Sequence, residues 1–389
     1  MKKVYKQSLA LHKKFAGKIE IKGKMPVKNK LDLSLAYTPG VGQACLEIAR
    51  DEKLAYIYTA KKNMVAVVTD GSAVLGLGNL GAKGAIPVME GKALLFKEFA
   101  NVDAFPLCLK TQDTEEIIKV VKQIAPVFGG INLEDISAPR CFEIENRLRA
   151  ELDIPVMHDD QHGTATVVLA GLINATKLRK IKKEEAKIII NGVGAAGTAI
   201  AKMLVTYGFK KIILADSKGI VSKGRVDLNK EKKDLIDFIK KETGSYENIS
   251  GDLTMAIKNR DIFIGVSKAG LVTGEMIKTM NPKPIIFAMA NPVPEIMPDE
   301  AKSAGAFIVA TGRSDFPNQL NNVLGFPGIF RGALDNRIGQ FKPEMFVKSA
   351  EALAKCVKKP TVDFIIPGPF DKNVVKAVAS VFKVKNSKK

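Results

Sequence analysis

The stretch Lys187–Asp216, KIIINGVGAAGTAIAKMLVTYGFKKIILAD, constrains the fold of this chain more than any other. An apolar run reads as a buried strand and turns through Gly192-Val193-Gly194-Ala195-Ala196-Gly197 into an amphipathic helix. A second strand follows and closes on Asp216. In such a GxGxxG turn the first glycine permits the tight bend, and the second lets the backbone approach a pyrophosphate. The third allows the helix to pack close to the strand. The helix N-terminus offers free N–H groups and the positive end of its dipole to phosphate. Asp216, about 20 residues on, is placed to accept hydrogen bonds from a ribose diol. A lone GxGxxG is weak, but this whole strand–turn–helix–strand–acid unit predicts a Rossmann-like dinucleotide site.

A second GxGxxG, Gly76-Leu77-Gly78-Asn79-Leu80-Gly81, follows the apolar run Val65–Val68. Here Asp70-Gly71-Ser72 interrupts before the glycines arrive, and Gly84 and Pro87 fall where the phosphate-binding helix would run. Proline inside a helix removes a backbone bond and clashes with the preceding turn. No clean helix is therefore expected between this motif and Asp103, and the motif reads as a close-packed glycine loop.

The 389 residues suffice for two domains with filled cores. No apolar run is long enough to span a membrane, and the lysine-studded start lacks the apolar region of a secretory signal. Four scattered cysteines (Cys45, Cys108, Cys141, Cys356) fit free thiols in a reducing cytoplasm. The net charge of +19 raises the question of nucleic acid. However, residues 1–30 hold +9 of it and residues 342–389 hold +7, nearly all as Lys. With no Trp for base stacking, a basic RNA-binding protein is disfavoured, and neither nucleic acid nor membrane is an expected partner.

In the first half, Met64–Thr69, Ala104–Cys108, Val127–Ile131 and Ile154–Met157 read as strands, with helices over Thr114–Ile124 and Phe142–Ala150. Thr164–Leu178 reads as a long apolar helix leading into the dinucleotide unit, whose later strands are Ile262–Val266, Ile285–Ala288 and Phe307–Thr311. These patterns predict an α/β chain with an N-terminal domain over residues 1–159 and a Rossmann-like domain over 160–321. A C-terminal helical segment, 322–389, is expected to pack back on the first domain.

Two acidic clusters follow predicted strands: Glu134-Asp135, and Asp159-Asp160 within His158-Asp159-Asp160-Gln161-His162. Converging carboxylates repel unless a cation is present, and hard oxygen ligands suit Mg2+ or Mn2+. The alternative for Asp160 is helix capping. His158 and His162 have a metal-ligand spacing, but they straddle a strand-to-helix turn and read as structural. Lys92 opens an apolar helical run. In a desolvated site near a metal its pKa would fall toward that of a general base; a snorkelling surface lysine is the alternative. Tyr37 lies in a turn-forming stretch, where its hydroxyl could donate a proton or simply serve the core.

Nine ordered blocks resemble the malic enzyme family, in its compact bacterial form: AYTPGV (36–41), TDGSAVLGLGNLG (69–81), PVMEGK (87–92), INLEDISAPRCFEIE (131–145), HDDQHGTA (158–165), NGVGAAG (191–197), ADSKG (215–219), ANPVPE (290–295) and TGRSDFPNQLNNVLGFPG (311–328). The resemblance implies a metal-dependent oxidative decarboxylation of L-malate to pyruvate and CO2 by NAD(P), in a cytoplasmic homodimer. It implies Tyr37 as general acid, Lys92 as general base and Asp159 as the partner of Lys92. Glu134, Asp135 and Asp160 would hold the metal. Asn291 would lie near the nicotinamide ribose and substrate, and an asparagine of the Asn321-Asn322 pair would hold a malate carboxylate. Larger family members carry an arginine after the first Asp-Gly that pairs with malate; Ser72-Ala73 stands there, so that role is not carried over. The acetyltransferase-like extension that some relatives carry is not expected here. A metal-independent amino-acid dehydrogenase is the nearest rival. Asp216 favours NAD, while Lys218 beside it would offset repulsion of a 2′-phosphate and admit NADP.

Overall fold

The computed structural model describes residues 2–383; Lys385, Lys388 and Lys389 of the basic C-terminus lie outside them. Four helices open the chain: α1 (Lys2–Phe15), α2 (Lys30–Ala36), α3 (Val41–Arg50) and α4 (Ala55–Tyr58). The first sheet is built from β1 (Met64–Thr69), α5 (Gly81–Ala100), β2 (Asp103–Cys108), α6 (Thr114–Ile124), β3 (Gly130–Leu133), α7 (Arg140–Glu151) and β4 (Val156–His158). Its strands are parallel, in the order β2-β1-β3-β4. Helix α8 (Asp159–Arg179) crosses to the second unit. This contains β5 (Lys187–Asn191), α9 (Ala195–Tyr207), β6 (Lys211–Asp216), β7 (Gly219–Ile220), α10 (Lys230–Thr243), α11 (Leu253–Ile257), β8 (Ile262–Gly265), α12 (Gly274–Lys278), β9 (Ile285–Ala288), α13 (Pro298–Ser303) and β10 (Ile308–Thr311). Its strand order is β10-β9-β8-β5-β6-β7, parallel except for β7. The helices α14 (Phe326–Asp335), α15 (Pro343–Cys356) and α16 (Asn373–Ala379) follow.

Alternation along the strands assigns the core. Val65 and Val67 of β1 face one apolar layer while Ala66 and Val68 face another; Ile188 and Ile190 of β5 oppose Ile189 in the same way. Strands buried on both faces need continuous apolar runs, which both sequences have. The inner layer, with Phe96 of α5, Leu169 of α8 and Ile200 of α9, is shared by the two sheets. The C-terminal helices return to the first domain as expected: Phe326 and Phe330 of α14 meet Phe96 at ring-centroid distances of 4.7 and 5.4 Å. They also pack on α8, where Asn174 donates to Ala354 O and Ile365 O.

Three expectations need correction. Helix α5 runs 20 residues straight through Pro87, where no clean helix was expected. Ala85, Met89, Lys92, Ala93 and Phe96 bury one face of it, which outweighs the single backbone bond that proline removes. The strand expected from Val127 begins at Gly130 instead, because Ala125–Val127 forms a 3-10 turn around Pro126. Helix α8 starts five residues earlier than Thr164, so Asp159 and Asp160 sit in its first turn.

The N-terminal arm stands apart from this core. No residue from Lys3 to Met64 is buried, and seventeen large hydrophobic side chains there are exposed, among them Leu9, Phe15, Leu31, Leu35 and Tyr37. Lys18 ties the arm to α5, with its Nζ on Pro87 O at 2.7 Å and its backbone N–H on Glu90 Oε2 at 3.1 Å. Among the described residues no helix is long and apolar enough to cross a membrane.

Candidate active site

The carboxyl ends of β3 and β4 deliver the acids to one place. Glu134 and Asp135 follow β3, and Asp160 lies in the first turn of α8, directly after β4. One carboxylate oxygen from each of Glu134, Asp135 and Asp160 lies within 4.8 Å of the others. Asp135 has a left-handed backbone, φ 52°, which Asp tolerates better than most residues. Three bonds hold it: Ala73 N–H to its carbonyl (2.9 Å), Leu75 N–H to its Oδ1 (3.3 Å) and its own N–H to Asp160 Oδ2 (2.8 Å). The Glu134–Asp135 turn and the Gly71–Gly81 loop are thus one assembly.

Lys92 points from α5 into this cluster. Its ammonium lies 2.6 Å from Asp159 Oδ2 and 2.9 Å from Glu134 Oε1, and 4.2 Å from the centroid of the Phe326 ring. Burial alone would lower its pKa, but the two carboxylates outweigh burial and hold the ammonium above its ordinary value. The acids respond in turn: burial first, then mutual repulsion, lifts Glu134 to about 7, Asp135 to about 9 and Asp160 to about 6. Asp135 Oδ2 is buried with no hydrogen-bond partner among the described residues. Carboxylates this crowded, one of them with an orphaned oxygen, fit a hard divalent cation, and the donor set is all oxygen. Asp160 keeps a third of its side chain exposed, which opens the cluster on that side.

The nucleotide unit folds as its glycines require. Gly192 has φ 109°, and a Cβ there would lie 2.5 Å from Val266 O. Gly194 faces open space, whereas a Cβ on Gly197 would meet Gly192 O at 1.8 Å. No side chain caps α9, so the N–H groups of its first turn, over Ala195, Ala196 and Gly197, are left for phosphate. The first glycine motif serves a different purpose. A Cβ on Gly76 would lie 1.8 Å from Asn291 O, so the loop beside the acids packs backbone-to-backbone on the turn after β9.

The structure brings Lys92, Glu134, Asp135, Asp159 and Asp160 together, and two expected residues are placed differently. Tyr37, at the C-cap of α2, is 68% exposed and forms no side-chain hydrogen bond among the described residues. Lys218 turns to Asp227 at 3.0 Å, and Asp216 is instead held by Arg225 (2.8 Å) and Lys232 (2.5 Å). Of the asparagine pair, Asn321 is committed to capping a turn through Val323 N–H. Asn322 lies beside Gly163, whose would-be Cβ sits 3.2 Å from Asn322 Cβ and 1.8 Å from Asp159 Oδ1. Sequence reasoning missed Asn132, which donates to Glu134 Oε2 at 2.9 Å. It also missed Glu145, which takes His162 Nε2 at 2.8 Å and the His158 N–H at 3.1 Å. The His158 ring is buried with neither nitrogen hydrogen-bonded among the described residues and, mainly by desolvation, is pushed down to about 4, while His162 stacks on Phe346.

Sequence models of the malic enzyme N-terminal domain and of the malic enzyme NAD-binding domain match residues 16–149 and 161–379. The chain is 54% identical to the bifunctional malic/malolactic enzyme of Bacillus subtilis, over 96% of this chain and 90% of that one. It is 53% identical to the NAD-dependent malic enzyme of Geobacillus stearothermophilus, over 93% and 75%. The crystal structure of the NAD-dependent malic enzyme of Thermotoga maritima superposes with a TM-score of 0.91 at 48% identity, over 96% of this chain and 98% of that one. Nucleotide turn, acidic cluster and full-length likeness agree, and the chain belongs to the malic enzyme family.

Proposed function

We propose that the protein oxidatively decarboxylates L-malate to pyruvate and CO2, with reduction of NAD(P). The observation that carries this reading is the Lys92 ammonium wedged between Asp159 and Glu134 at the edge of the acidic cluster. Glu134, Asp135 and Asp160 would hold Mg2+ or Mn2+, which supplies Lewis-acid polarisation of the substrate oxygens. Lys92 takes the C2 hydroxyl proton as the C2 hydride leaves for the nicotinamide, and Asp159 keeps the ammonium so formed in place. For this Lys92 must first release a proton to solvent; a divalent charge on Glu134 weakens the attraction that now holds that proton. Asn322, beside Asp159, orients a malate carboxylate, and Asn291 lies at the nicotinamide end. After CO2 leaves C3, a proton returns to C3 from Tyr37.

Tyr37 reaches that role through a second copy of the chain. Its own arm is unburied, and a second apolar surface, Leu75, Leu77, Leu80 and Ile86, is exposed at the glycine loop. Half-exposed side chains of this kind, at about 60–120 Å2 each when fully buried, make the arm's apolar surface comparable to the roughly 800 Å2 per partner of a stable interface. We infer a homodimer in which each arm lies across the partner and brings Tyr37 to its cluster.

Asp216 favours a free 2′-hydroxyl and hence NAD, while Arg225 and Lys232 are the cations able to turn to a 2′-phosphate, so NADP is used as well. The defining test is malate-dependent formation of NADH and pyruvate, abolished by a chelator and restored by Mn2+. Turnover undiminished by chelation would refute the metal assignment, and lactate accumulating in place of pyruvate would move the reaction toward the malolactic branch.

A further inference from the structure

Glu295 lies in the turn after β9 and is fully buried. Its Oε1 accepts hydrogen bonds from Ser267 N–H (2.9 Å) and Ser267 Oγ (3.4 Å), and its Oε2 accepts one from Ala290 N–H (3.0 Å). Both oxygens face N–H donors, the pattern of an ionised carboxylate. Burial holds its pKa above the ordinary carboxylate value although these hydrogen bonds oppose the rise, and no ion pair reaches it among the described residues. Nearby, Arg313 reaches Pro292 O at 3.2 Å and directs its Nε and other terminal nitrogen to Asp315, at 2.8 and 2.5 Å. A buried charge without a cation is unfavourable, and packing alone does not call for one.

Strand order shows what lies above it. Asp216 ends β6 on one side of β5, and β8 and β9 lie on the other. A dinucleotide with its adenosine ribose at Asp216 and its pyrophosphate over Gly192–Gly197 therefore extends its nicotinamide over the ends of β8 and β9. Ser267 and Ala290, the two residues bonded to Glu295, each lie two residues beyond those ends. The oxidised nicotinamide ring carries a positive charge and the reduced ring carries none.

We propose that Glu295 sets the cofactor oxidation state this site prefers, its uncompensated buried charge favouring the cationic oxidised nicotinamide over the neutral reduced one. The inference rests on the dinucleotide reading of Gly192–Asp216. The charge is fixed in position: Ser267 Oγ accepts from Asn191 Nδ2 at 2.8 Å, and a Cβ on Gly265 would lie 2.4 Å from Glu295 Cδ. Once hydride has passed to the ring the attraction is gone, which favours release of the reduced cofactor.

The chain has no Trp, so NADH fluorescence reports binding cleanly, and NAD+ is measured by displacement. Glu295→Gln is expected to weaken NAD+ roughly tenfold, the scale of a unit charge acting across a partly screened interior, with NADH changed less than about twofold. Glu295→Ala, which leaves room for water at the two N–H groups, is the second neutral variant and gives the same shift in ratio if the first does not fold. Ser267→Ala keeps the charge and loosens the network, so it moves both cofactor forms by the same factor. Equal changes for NAD+ and NADH in the Glu295 variants, or no change in either, would overturn the proposal. Failure of the wild type to bind either form would overturn the dinucleotide reading itself.

Discussion

Tyr37→Phe and Lys92→Ala, made separately and then mixed, test where the proton donor comes from. Tyr37 is two-thirds exposed in its own chain, so a complete site in the exchanged-arm dimer joins the cluster of one chain to the tyrosine of the other. Either variant alone leaves every site short of one proton-transfer group, a loss of roughly 10²- to 10⁴-fold. Random re-pairing of equal amounts in a two-fold dimer makes about half of the dimers mixed. In each mixed dimer the cluster of the Tyr37→Phe chain receives an intact Tyr37, and the opposite site lacks both groups. Roughly one site in four is then whole, and activity returns to about a quarter of wild type. The assay is malate-dependent NADH absorbance before and after exchange in mild denaturant. If activity stays at the level of the single variants while mass measurement shows mixed dimers, the tyrosine does not act across the interface.

Two further perturbations follow from the charges at the two sites. Glu134, Asp135 and Asp160 sit near 7, 9 and 6 without metal, above their ordinary values, so the native state holds protons that the unfolded chain has released. The stability these three acids contribute without metal is then fully present below about pH 4 and is lost as pH rises through about 6 to 9. The rise in Tm on adding Mn2+ therefore grows across that window, and an increment independent of pH would count against these ligands. At the nucleotide site, Asp216→Ala frees Arg225 and Lys232 for a 2′-phosphate; kcat/KM for NADP relative to NAD is expected to rise at least tenfold, and an unchanged ratio would show that Asp216 does not discriminate.

Much of this was legible because the acids stand immediately after apolar strands, where a parallel sheet exposes its carboxyl ends. The glycines of Gly192–Gly197 likewise carry their geometry in their spacing. Helix α5 was not legible, since Pro87 is a local signal and the buried face of Met89, Lys92 and Phe96 is a tertiary one. Arg225 and Lys232 were missed because nine and sixteen residues of chain separate them from Asp216, and only the β7 turn brings them back. Glu145 and Glu295 look in the sequence like ordinary surface acids; nothing local reports that they are enclosed. The arm's helices were not foreseen, and periodicity would not have said what covers their apolar faces.

Helix α8 begins with Asp159 and Asp160 and runs 21 residues to Arg179, whose guanidinium grips Asp261 just ahead of β8 at 2.6 Å. At about 1.5 Å per residue it is a rod roughly 30 Å long, with two of the clustered carboxylates on its first turn and the second sheet clamped to its last. Local melting of either end therefore frays a segment that the other end needs. The two halves share one cooperative element, so a protein that has lost its nucleotide fold has also lost the means to hold its acids in register.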